Sequence, residues 1–341
     1  MEKIITLFNH KGGVSKTTTT FNLAWKISQN DKRVLVVDAD PQCNLTWMFL
    51  GDCFDEYYES DSTRKMNIKD AVSMAFMGKP QPIKEIDCPQ HERNENIFII
   101  PGHMDLSANE SALSLAWNSN NAIITLQNLP GAFYELIHLC ATKYDIDYVF
   151  IDLNPGLSSL NQTFFIYSDA FIIPINPDPF ALMALKTLQN ILPKWKKMAR
   201  EARELFDETS YPLPEKEMKF AGDIIQRFSL RKQKPSRPFQ EKIKEIQQYI
   251  GKDFIEHIRL SGMMYNDERY TANEHEIDFC LGEIPDFGAL IQKANEARVP
   301  VFALQDEDMK ESGVVREGMQ ERRDKFDEIF KSIAKKIIEV V

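Results

Sequence analysis

The residues with the clearest chemical potential lie between Phe8 and Thr20, in the stretch FNHKGGVSKTTTT. Gly12 and Gly13 follow an apolar run and precede a segment with helical spacing. Glycines at such a junction let backbone N–H groups converge on a phosphate, and the helix that follows presents its positive end. Lys16 would reach the terminal phosphates, and Thr17 would place a hydroxyl on Mg²⁺. The pattern predicts a nucleotide site, although a glycine-rich turn without a ligand shares it.

The loop departs from the pattern G-x-x-x-x-G-K-[ST] at both glycine positions. His10 stands at the first and Ser15 at the second. If the backbone at residue 15 needs a positive φ, a serine there costs roughly 1–2 kcal/mol. We expect the serine to be tolerated, because the rest of the loop is intact, with hydrolysis altered.

Three aspartates lie at the ends of predicted strands. Asp38 and Asp40 end RVLVVDAD, and Asp152 ends DYVFIDL. The carboxyl ends of parallel strands meet at one edge of a sheet, where ligands bind. Asp152 would hold Mg²⁺ through water, while Asp38 or Asp40 would bind metal or orient the attacking water. A lone aspartate is more often a cap or turn former, but three in this order predict one magnesium–nucleotide site.

Apolar strands and helical segments alternate through most of the chain. This pattern predicts an α/β fold with a twisted, mostly parallel sheet and helices on both faces. We expect one domain over residues 1–341, an insertion with one or two short helices at about 51–96, and a divergent segment at about 253–279. A long helix is predicted over Pro179–Phe206, and the end from about Gly313 is predicted to be helical. The predicted strands are KIITLF, RVLVVDAD, NIFIIPG, DYVFIDL, AFIIPINP, FAGDIIQRF and CLGEIPDF.

Composition excludes several classes of protein. The formal net charge of −10 gives no overall attraction for nucleic acid, so DNA binding would need a local basic patch. The five cysteines include no C-x-x-C pair, which argues against a zinc ribbon or a disulfide framework and suits a reducing cytosol. No apolar run has the length of a signal peptide or membrane span. We therefore expect a cytoplasmic protein.

Three segments carry a family resemblance: KGGVSKTTTTFNLAW, RVLVVDADPQCNLT and YVFIDLNPG. Together they resemble the deviant Walker A ATPases of the ParA/MinD/Soj group. That group is marked by the loop K-G-G-x-x-K-[ST], often without the first glycine, and Lys11 matches its signature lysine. The resemblance implies a P-loop NTPase fold, ATP and Mg²⁺ as cofactors, and a homodimer that encloses ATP. Lys11 would reach the partner's nucleotide and neutralise charge on the transferred phosphoryl group.

The resemblance also implies roles for the loop residues. Lys11, Lys16 and Asp40 would carry catalysis, and Asp40 would position the attacking water. The phosphates would be bound by Lys11, Gly12, Gly13, Val14, Ser15, Lys16, Thr17 and Thr18.

The same resemblance places the metal and the base. Thr17 and Asp152 would serve Mg²⁺, and Asp38 would sit close to it. Gln226 falls where the family often has an asparagine near the adenine, and Pro285 falls in a late loop near the base.

The chain departs from the family at further positions. Asn154 interrupts the usual double proline after Asp152, and Arg298 stands where a glycine is typical. The insertion and the divergent segment are candidates for partner recognition or are decorative surface loops.

The resemblance implies an ATP-dependent, dimerising switch for DNA or plasmid segregation or for cargo positioning, with slow, partner-stimulated hydrolysis. No helix-turn-helix precedes the loop, so sequence-specific operator binding is not expected. The alternative is a nucleotide-gated regulator that acts on a protein partner, which the acidic charge and the insertions favour. Two basic clusters would bind DNA non-specifically or form solvated faces: Arg227, Arg231, Lys232, Lys234 and Arg237; and Lys194, Lys196, Lys197, Arg200 and Arg203.

Three other functions share parts of this pattern. A membrane-binding helix would need an apolar stripe, but such a stripe is more often core packing, and no membrane partner is favoured. An iron–sulfur reductase is excluded, because Cys88 and Cys140 lie outside the matched motifs. A small-molecule ligase has no positive support. The C-terminal stripe comprises Phe326, Ile329, Phe330, Ile333, Ile337 and Ile338.

Overall fold

The computed structural model describes residues 2–118, 126–205, 209–231, 234–273 and 276–341. All seven predicted strands are present in it, because each apolar run lies in the interior. The strands, in chain order, are β1 (Lys3–Leu7), β2 (Val34–Ala39), β3 (Gln90–His91), β4 (Asn94–Ile100), β5 (Tyr148–Leu153), β6 (Ala170–Ile175), β7 (Lys219–Gln226), β8 (Leu230–Arg231), β9 (Lys234–Pro235), β10 (Thr271–Asn273), β11 (Glu276–Ile277) and β12 (Cys280–Ile284).

Eight of these strands form the main sheet, in the order β12–β7–β6–β1–β5–β2–β4–β3. Neighbouring strands are parallel except for β3, which runs antiparallel to β4 at one edge. Every residue of β2, β5 and β6 is buried, as expected for strands covered on both faces. The other four strands pair as two small hairpins, β8 with β9 and β10 with β11.

The helices connect these strands and cover the sheet. The long helix predicted from Pro179 runs over Ala181–Leu205, and Phe206 lies outside the described residues. The α-helices are α1 (Lys16–Ser28), α2 (Asn44–Leu50), α3 (Phe54–Glu59), α4 (Ile68–Ala71), α5 (Ser73–Phe76), α6 (Glu110–Asn118), α7 (Leu129–Lys143), α8 (Ser159–Ile166), α9 (Ala181–Leu205), α10 (Arg237–Tyr249), α11 (Ile255–Leu260), α12 (Ala289–Ala297), α13 (Asp306–Met309) and α14 (Gly313–Val340).

The chain reverses direction across the sheet, which puts helices on both faces. It moves from β1 outward to β2 and β4, then returns to β5 and continues through β6 and β7. Because parallel crossovers are right-handed, the reversal places α1 on one face and α7, α8 and α9 on the other. Helix α14 packs beside α1, and α8 packs beside α7 and α9. The reversal occurs at β5, which lies between β1 and β2 in the sheet. Such a point is where an α/β sheet opens a ligand crevice.

The expectation of one or two short helices in residues 51–96 is wrong. The segment holds three helices, α3, α4 and α5, and the short strand β3. Each helix is only four to six residues long, too short to show a helical period in the sequence. The segment is also attached to the main core, because Ile68 and Val72 are fully buried.

The C-terminal apolar stripe packs into the core. Phe330, Ile333 and Ile337 of α14 are fully buried, and Phe326 is nearly so. The helix contacts β12 and α1. Within the described part of the chain, no helix combines the length and hydrophobicity needed to cross a bilayer.

A buried histidine holds the edge of the sheet. His91 of β3 is 3% exposed, and its Nε2 lies 2.8 Å from the Arg298 carbonyl oxygen. The rings of Trp25 and Phe49 pack edge-on against its imidazole. Burial lowers the pKa of His91 to about 4, so this side chain is neutral in the folded protein near pH 7.

We expect His91 to make stability depend on pH. Its unfolded pKa lies near 6.5, so the unfolded chain binds a proton between pH 6.5 and 4 that the folded chain does not. Stability must therefore fall as pH falls through this window, by about 2 kcal/mol between pH 7 and pH 5. Urea denaturation of wild type and of His91→Gln at both pH values isolates the contribution of His91 to this pH dependence. Between pH 7 and pH 5, wild type should lose more unfolding free energy than the variant, which lacks the histidine. A difference between the two proteins that does not change with pH would contradict this account.

Candidate functional site

The loop between β1 and α1 presents its N–H groups rather than its carbonyls. The His10 oxygen accepts a hydrogen bond from Gly156 N at 2.9 Å, and the Gly13 oxygen accepts one from the Asn176 side chain at 3.0 Å. The N–H groups of Gly12 and Gly13 have no acceptor among the described residues. Free N–H groups at a helix N-terminus form a receptor for an anion such as phosphate.

The backbone at residue 15 does require a positive φ. Ser15 has φ 52° and ψ 34°, in the left-handed region, and its side chain makes no capping hydrogen bond to α1. The glycine expected at this position would adopt that conformation freely. Ser15 therefore adds strain to the loop without a compensating contact of its own.

Lys16 lies under the loop, where it holds two carbonyls. Its Nζ donates to the oxygens of Asn9 at 3.0 Å and Lys11 at 3.3 Å. Only 6% of the residue is exposed. Burial lowers the pKa of Lys16, while the nearby carboxylates of Asp152 and Asp40 oppose that shift.

Lys11 contacts residues of its own chain. Its Nζ forms an ion pair with Asp178 and lies 5.6 Å from the centre of the Phe180 ring. A quarter of the lysine side chain remains exposed. The signature lysine therefore lies at the surface of the loop, bound by a contact that it can exchange for another anion.

Asp152 carries a buried carboxylate without a hydrogen-bond partner. The residue is fully buried, and neither side-chain oxygen has a partner among the described residues. Burial, together with the neighbouring Asp38, raises its pKa. An unpaired carboxylate at this depth is unfavourable unless a cation approaches it. Asp152 and the Thr17 hydroxyl are oxygen donors of the kind that Mg²⁺ prefers, so these residues fit that ion.

The site offers few protein ligands for a metal. The described residues contain no group of three or more His, Cys, Asp or Glu side chains arranged to hold one. Mg²⁺ is usually held by one or two carboxylates together with substrate phosphates. The arrangement around Asp152 is therefore suited to magnesium that arrives with a nucleotide.

The two aspartates of β2 occupy different positions. The Oδ2 atom of Asp38 accepts hydrogen bonds from Thr46 N at 2.8 Å and Thr46 Oγ1 at 2.6 Å, while Oδ1 accepts one from Asp40 N at 3.2 Å. Burial raises the pKa of Asp38 to about 6. Asp40 lines the cavity beside the loop, and its Oδ1 accepts a hydrogen bond from Gln42 N at 2.9 Å. Asp38 thus fixes the start of α2, whereas Asp40 faces the site.

The loop borders a cavity of about 540 Å³, within the range of ligand pockets. It brings together most of the residues that the sequence predicted. The described lining residues are Gly12, Gly13, Val14, Ser15, Lys16, Thr17, Thr18, Asp40, Gln42, Asn44, Trp47, Met48, Leu153, Pro155, Arg227 and Asn295.

The two residues predicted near the base are not in that lining. Gln226 lies behind the loop, where its Nε2 donates to the Val14 oxygen and its Oε1 accepts from Thr19 Oγ1 at 2.6 Å. The structure therefore gives Gln226 the position of a support for the loop and for α1. Pro285 is half-buried and does not border the cavity.

Sequence reasoning did not predict eight of the described lining residues: Gln42, Asn44, Trp47, Met48, Leu153, Pro155, Arg227 and Asn295. It placed Arg227 in a basic cluster that would bind DNA or form a solvated face, but Arg227 directly follows β7 with φ 61°, and its Nη1 donates to the Gly13 oxygen at 2.7 Å. Its place directly after a strand end was the available signal, since strand ends converge on the site. Trp47 is 48% exposed at the rim, and nothing in its local pattern points there.

Comparisons with known proteins identify the family of the chain. Residues 2–205, more than half of the chain, match the family model described as an AAA domain. The chain belongs to this family, and its relatives place it among the ParA-type P-loop ATPases.

The named relatives include partition proteins. The sporulation initiation inhibitor protein Soj of Bacillus subtilis is 30% identical over 56% of this chain and 64% of its own length. The chromosome partitioning protein ParA of Myxococcus xanthus is 30% identical over 56% of this chain and 58% of its own. An uncharacterised protein of Mycobacterium tuberculosis is 33% identical over 56% of this chain and 52% of its own. The match thus spans between half and two thirds of these relatives.

Solved structures share the fold at low identity. A protein from Corynebacterium diphtheriae has a TM-score of 0.62 at 24% identity and covers 87% of this chain and 97% of its own. An ATP complex of a Cyanothece McdA variant gives 0.56 at 19% identity, covering 94% and 96%. A putative plasmid partition protein of Borrelia burgdorferi bound to AMPPNP gives 0.55 at 21%, covering 96% and 100%. These neighbours show a mostly parallel P-loop NTPase fold, as predicted.

We expect Ser15→Gly to stabilise the protein. Glycine removes a left-handed strain of roughly 1–2 kcal/mol, and its greater freedom in the unfolded chain offsets part of this gain. The net increase in unfolding free energy should be about 0.5–1 kcal/mol, measured by urea denaturation. Ser15→Ala is the matched control, since it keeps the strained Cβ and should stay close to wild type. A glycine variant no more stable than the alanine variant would contradict strain at residue 15.

Arg227 should contribute to nucleotide binding through its charge. Its guanidinium lies on the cavity wall beside Gly13 and forms no ion pair with a described carboxylate. Replacing it with methionine should weaken MgATP binding about tenfold, the loss of one charge-assisted contact. Arg227→Lys should recover part of this affinity. Titration with a fluorescent ATP analogue measures both, and equal affinity of all three proteins would place Arg227 outside the binding site.

Proposed function

We propose that this chain is an MgATP-hydrolysing switch that dimerises around ATP and, as the ATP dimer, binds DNA non-specifically in DNA or plasmid segregation or in cargo positioning. The observation that carries the proposal is the joint placement of the loop, Lys16 and Asp40 around one cavity. The buried carboxylate of Asp152 lies near Lys16, behind the cavity lining. Support also comes from the named relatives, a chromosome partitioning protein among them. The activity would be slow until a protein partner stimulates it.

Each residue of the site would have a distinct role. The N–H groups of Gly12 to Thr18 and the Lys16 ammonium would bind the phosphates. Thr17 and Asp152 would hold Mg²⁺, which neutralises charge on the phosphates during transfer. Asp40 would orient the attacking water, since it is the β2 carboxylate that faces the cavity. Asp38 would act on the site through Thr46 and the start of α2.

The surface around the cavity supports dimerisation. Four large apolar side chains are 40–60% exposed near the carboxyl edge of the sheet, where a second copy would cover them: Trp47, Leu157, Phe180 and Met183. Exposed apolar patches around a site mark interaction surfaces. Lys11 would leave Asp178 and reach the partner's nucleotide, where it would neutralise charge in the transition state.

The second candidate is a regulator whose target is a protein rather than DNA. The net charge of −10 favours it, since an acidic molecule is not drawn to DNA as a whole. Residues 51–96 would then supply part of the partner surface. Both candidates use the same ATP-dependent dimer and differ in what the dimer binds.

Light scattering of Asp40→Ala tests the switch. This variant should bind ATP without hydrolysing it, so it should be dimeric with ATP and monomeric with ADP or without nucleotide. Asp52→Ala, at an exposed aspartate, is the control and should hydrolyse ATP like wild type. Lys11→Ala should remain monomeric with ATP. A Lys11→Ala protein that still dimerises with ATP would show that Lys11 does not act across the interface.

DNA binding of the ATP-trapped dimer separates the two candidate functions. Affinity for DNA that falls steeply between 50 and 200 mM salt would support the segregation function. An ATP dimer that does not bind DNA would support the second candidate, a regulator that binds a protein partner.

A further inference from the structure

We propose that a second cavity, built largely by the divergent segment, binds a small organic cation: a primary ammonium group carried on an apolar body. The cavity has a volume of about 650 Å³, within the range of small-molecule sites. It lies between β7 and β12 on one side and α10 and α11 on the other. The described lining residues are Asp223, Gln247, Ile250, Gly251, Lys252, Ile255, Glu256, Arg259, Ile277, Asp278, Phe279 and Cys280.

Asp223 is the residue of this cavity that calls for a cation. It is 1% exposed, and its Oδ2 has no hydrogen-bond partner among the described residues. Burial, and after it the charge of Asp278, raises the pKa of Asp223 to about 8. A buried carboxyl group without a partner is unfavourable. An ammonium group in the cavity would donate a hydrogen bond to this oxygen and stabilise the ionised carboxylate.

The backbone around Asp223 is irregular on both sides of the cavity. Asp223 N donates to the Phe279 oxygen at 2.9 Å, and the pairing of β12 with β7 shifts between Cys280 and Gly282, which is a β-bulge. On the other side, a π-helical turn over Ile250–Phe254 separates α10 from α11. Bulges and π-helical turns re-aim side chains and are frequent beside functional sites. Together they open the space into which Asp223 faces.

The other fixed charges of the wall are already matched. Arg259 donates from Nη2 to Asp267 Oδ1 at 2.7 Å. Asp278 lies 3.2 Å from Lys336 Nζ, and its Oδ1 also accepts a hydrogen bond from Cys280 N at 2.9 Å. These groups therefore leave the charge of an ionised Asp223 without a partner.

The two remaining charges lie at the rim. Lys252 and Glu256 are exposed and four residues apart, so they are neighbours of opposite sign and largely offset each other. No described cation of the two basic clusters borders this cavity. Arg227 belongs to the nucleotide cavity, Arg237 pairs with Glu241 at 3.2 Å, and Lys232 lies outside the described residues.

The rest of the lining suits the apolar body of such a ligand. Ile250 and Ile255 are buried in the wall, Phe279 is half-buried, and Ile277 is 45% exposed at the mouth. A metal ion would require several oxygen ligands, and the described residues hold no group of three or more His, Cys, Asp or Glu side chains arranged for one. One buried carboxyl group among isoleucines fits an organic ammonium better.

The cavity is suited to binding rather than to chemistry. Its thiol, Cys280, has a pKa raised well above the usual range, by burial first and then by the charges of Asp223 and Asp278. A thiol that stays protonated is a poor nucleophile. The cation would therefore be a bound ligand and not a substrate.

The cavity and the nucleotide site share a strand but no described lining residue. Asp223 precedes Gln226 by three residues of β7, a distance of about 10 Å along the strand. Gln226 holds the Val14 oxygen of the phosphate loop. Both sites can therefore be occupied at once, and the ammonium site does not depend on the proposed function.

Calorimetric titration with phenethylamine tests the site, because this compound joins a primary ammonium to an apolar ring. Wild type should bind it at least tenfold more tightly than 2-phenylethanol, which has the same body without the charge. Asp223→Asn keeps the shape of the side chain and removes its charge, so it should bind the amine about tenfold more weakly than wild type. Asp253→Asn, at an exposed carboxylate of the same segment outside the described lining, should bind the amine like wild type.

Four outcomes would overturn the proposal: no binding of the amine to wild type at millimolar concentration, equal affinity of wild type for the amine and the alcohol, equal affinity of wild type and Asp223→Asn for the amine, or loss of amine binding in saturating MgATP, which would place the amine in the nucleotide cavity. The comparison of the two ligands uses wild type alone, so it decides even if Asp223→Asn misfolds. Normal binding of the fluorescent ATP analogue shows that the variant is folded. Dimerisation of Asp40→Ala with ATP is a separate result, so either proposal can fail while the other stands.

Discussion

Two buried carboxylates face each other on neighbouring strands, Asp38 on β2 and Asp152 on β5. Burial raises the pKa of both carboxyl groups, and the charge of Asp38 raises the pKa of Asp152 further. The fold relieves the repulsion unequally, since Asp38 accepts three hydrogen bonds and Asp152 accepts none from described residues. Lys16 balances Asp152 in part from beneath the loop. Thr46 at the start of α2 and Lys16 beneath the loop thus each stabilise one member of this pair.

Much of the fold was predictable, because strands buried on both faces are continuous apolar runs and leave a direct record in the sequence. The loop between β1 and α1 was predictable, because its glycines follow an apolar run and precede a segment with helical spacing. The hydrogen bonds from Thr46 to Asp38 and from Gln226 to Val14 could not be predicted, because contacts between separate elements produce no periodic pattern in the sequence. Arg227 shows the same limit: its basic neighbours in sequence suggested a DNA-binding cluster, but its strand directs it to the cavity.

Two positions where the family favours glycine adopt left-handed backbone conformations in this chain, Ser15 and Arg298. At Arg298 the side chain makes compensating contacts, because it donates to the Leu50 oxygen at 3.1 Å and to Glu92 at 2.7 Å. Its carbonyl oxygen also accepts a hydrogen bond from Nε2 of His91 at 2.8 Å. The arginine thus ties α12 to the inserted segment and to β3, whereas Ser15 gains nothing comparable.

The exposed indole of Trp47 at the cavity rim gives the protein an intrinsic fluorescence signal for binding at the site. The chain has four tryptophans, of which Trp25, Trp117 and Trp195 are at most 9% exposed. Trp47 alone is half in solvent, so the long-wavelength side of the emission spectrum belongs to it. A ligand or a second subunit that covers this ring shifts the emission to the blue, and the optical signal of the unlabelled protein then reports the state of the site.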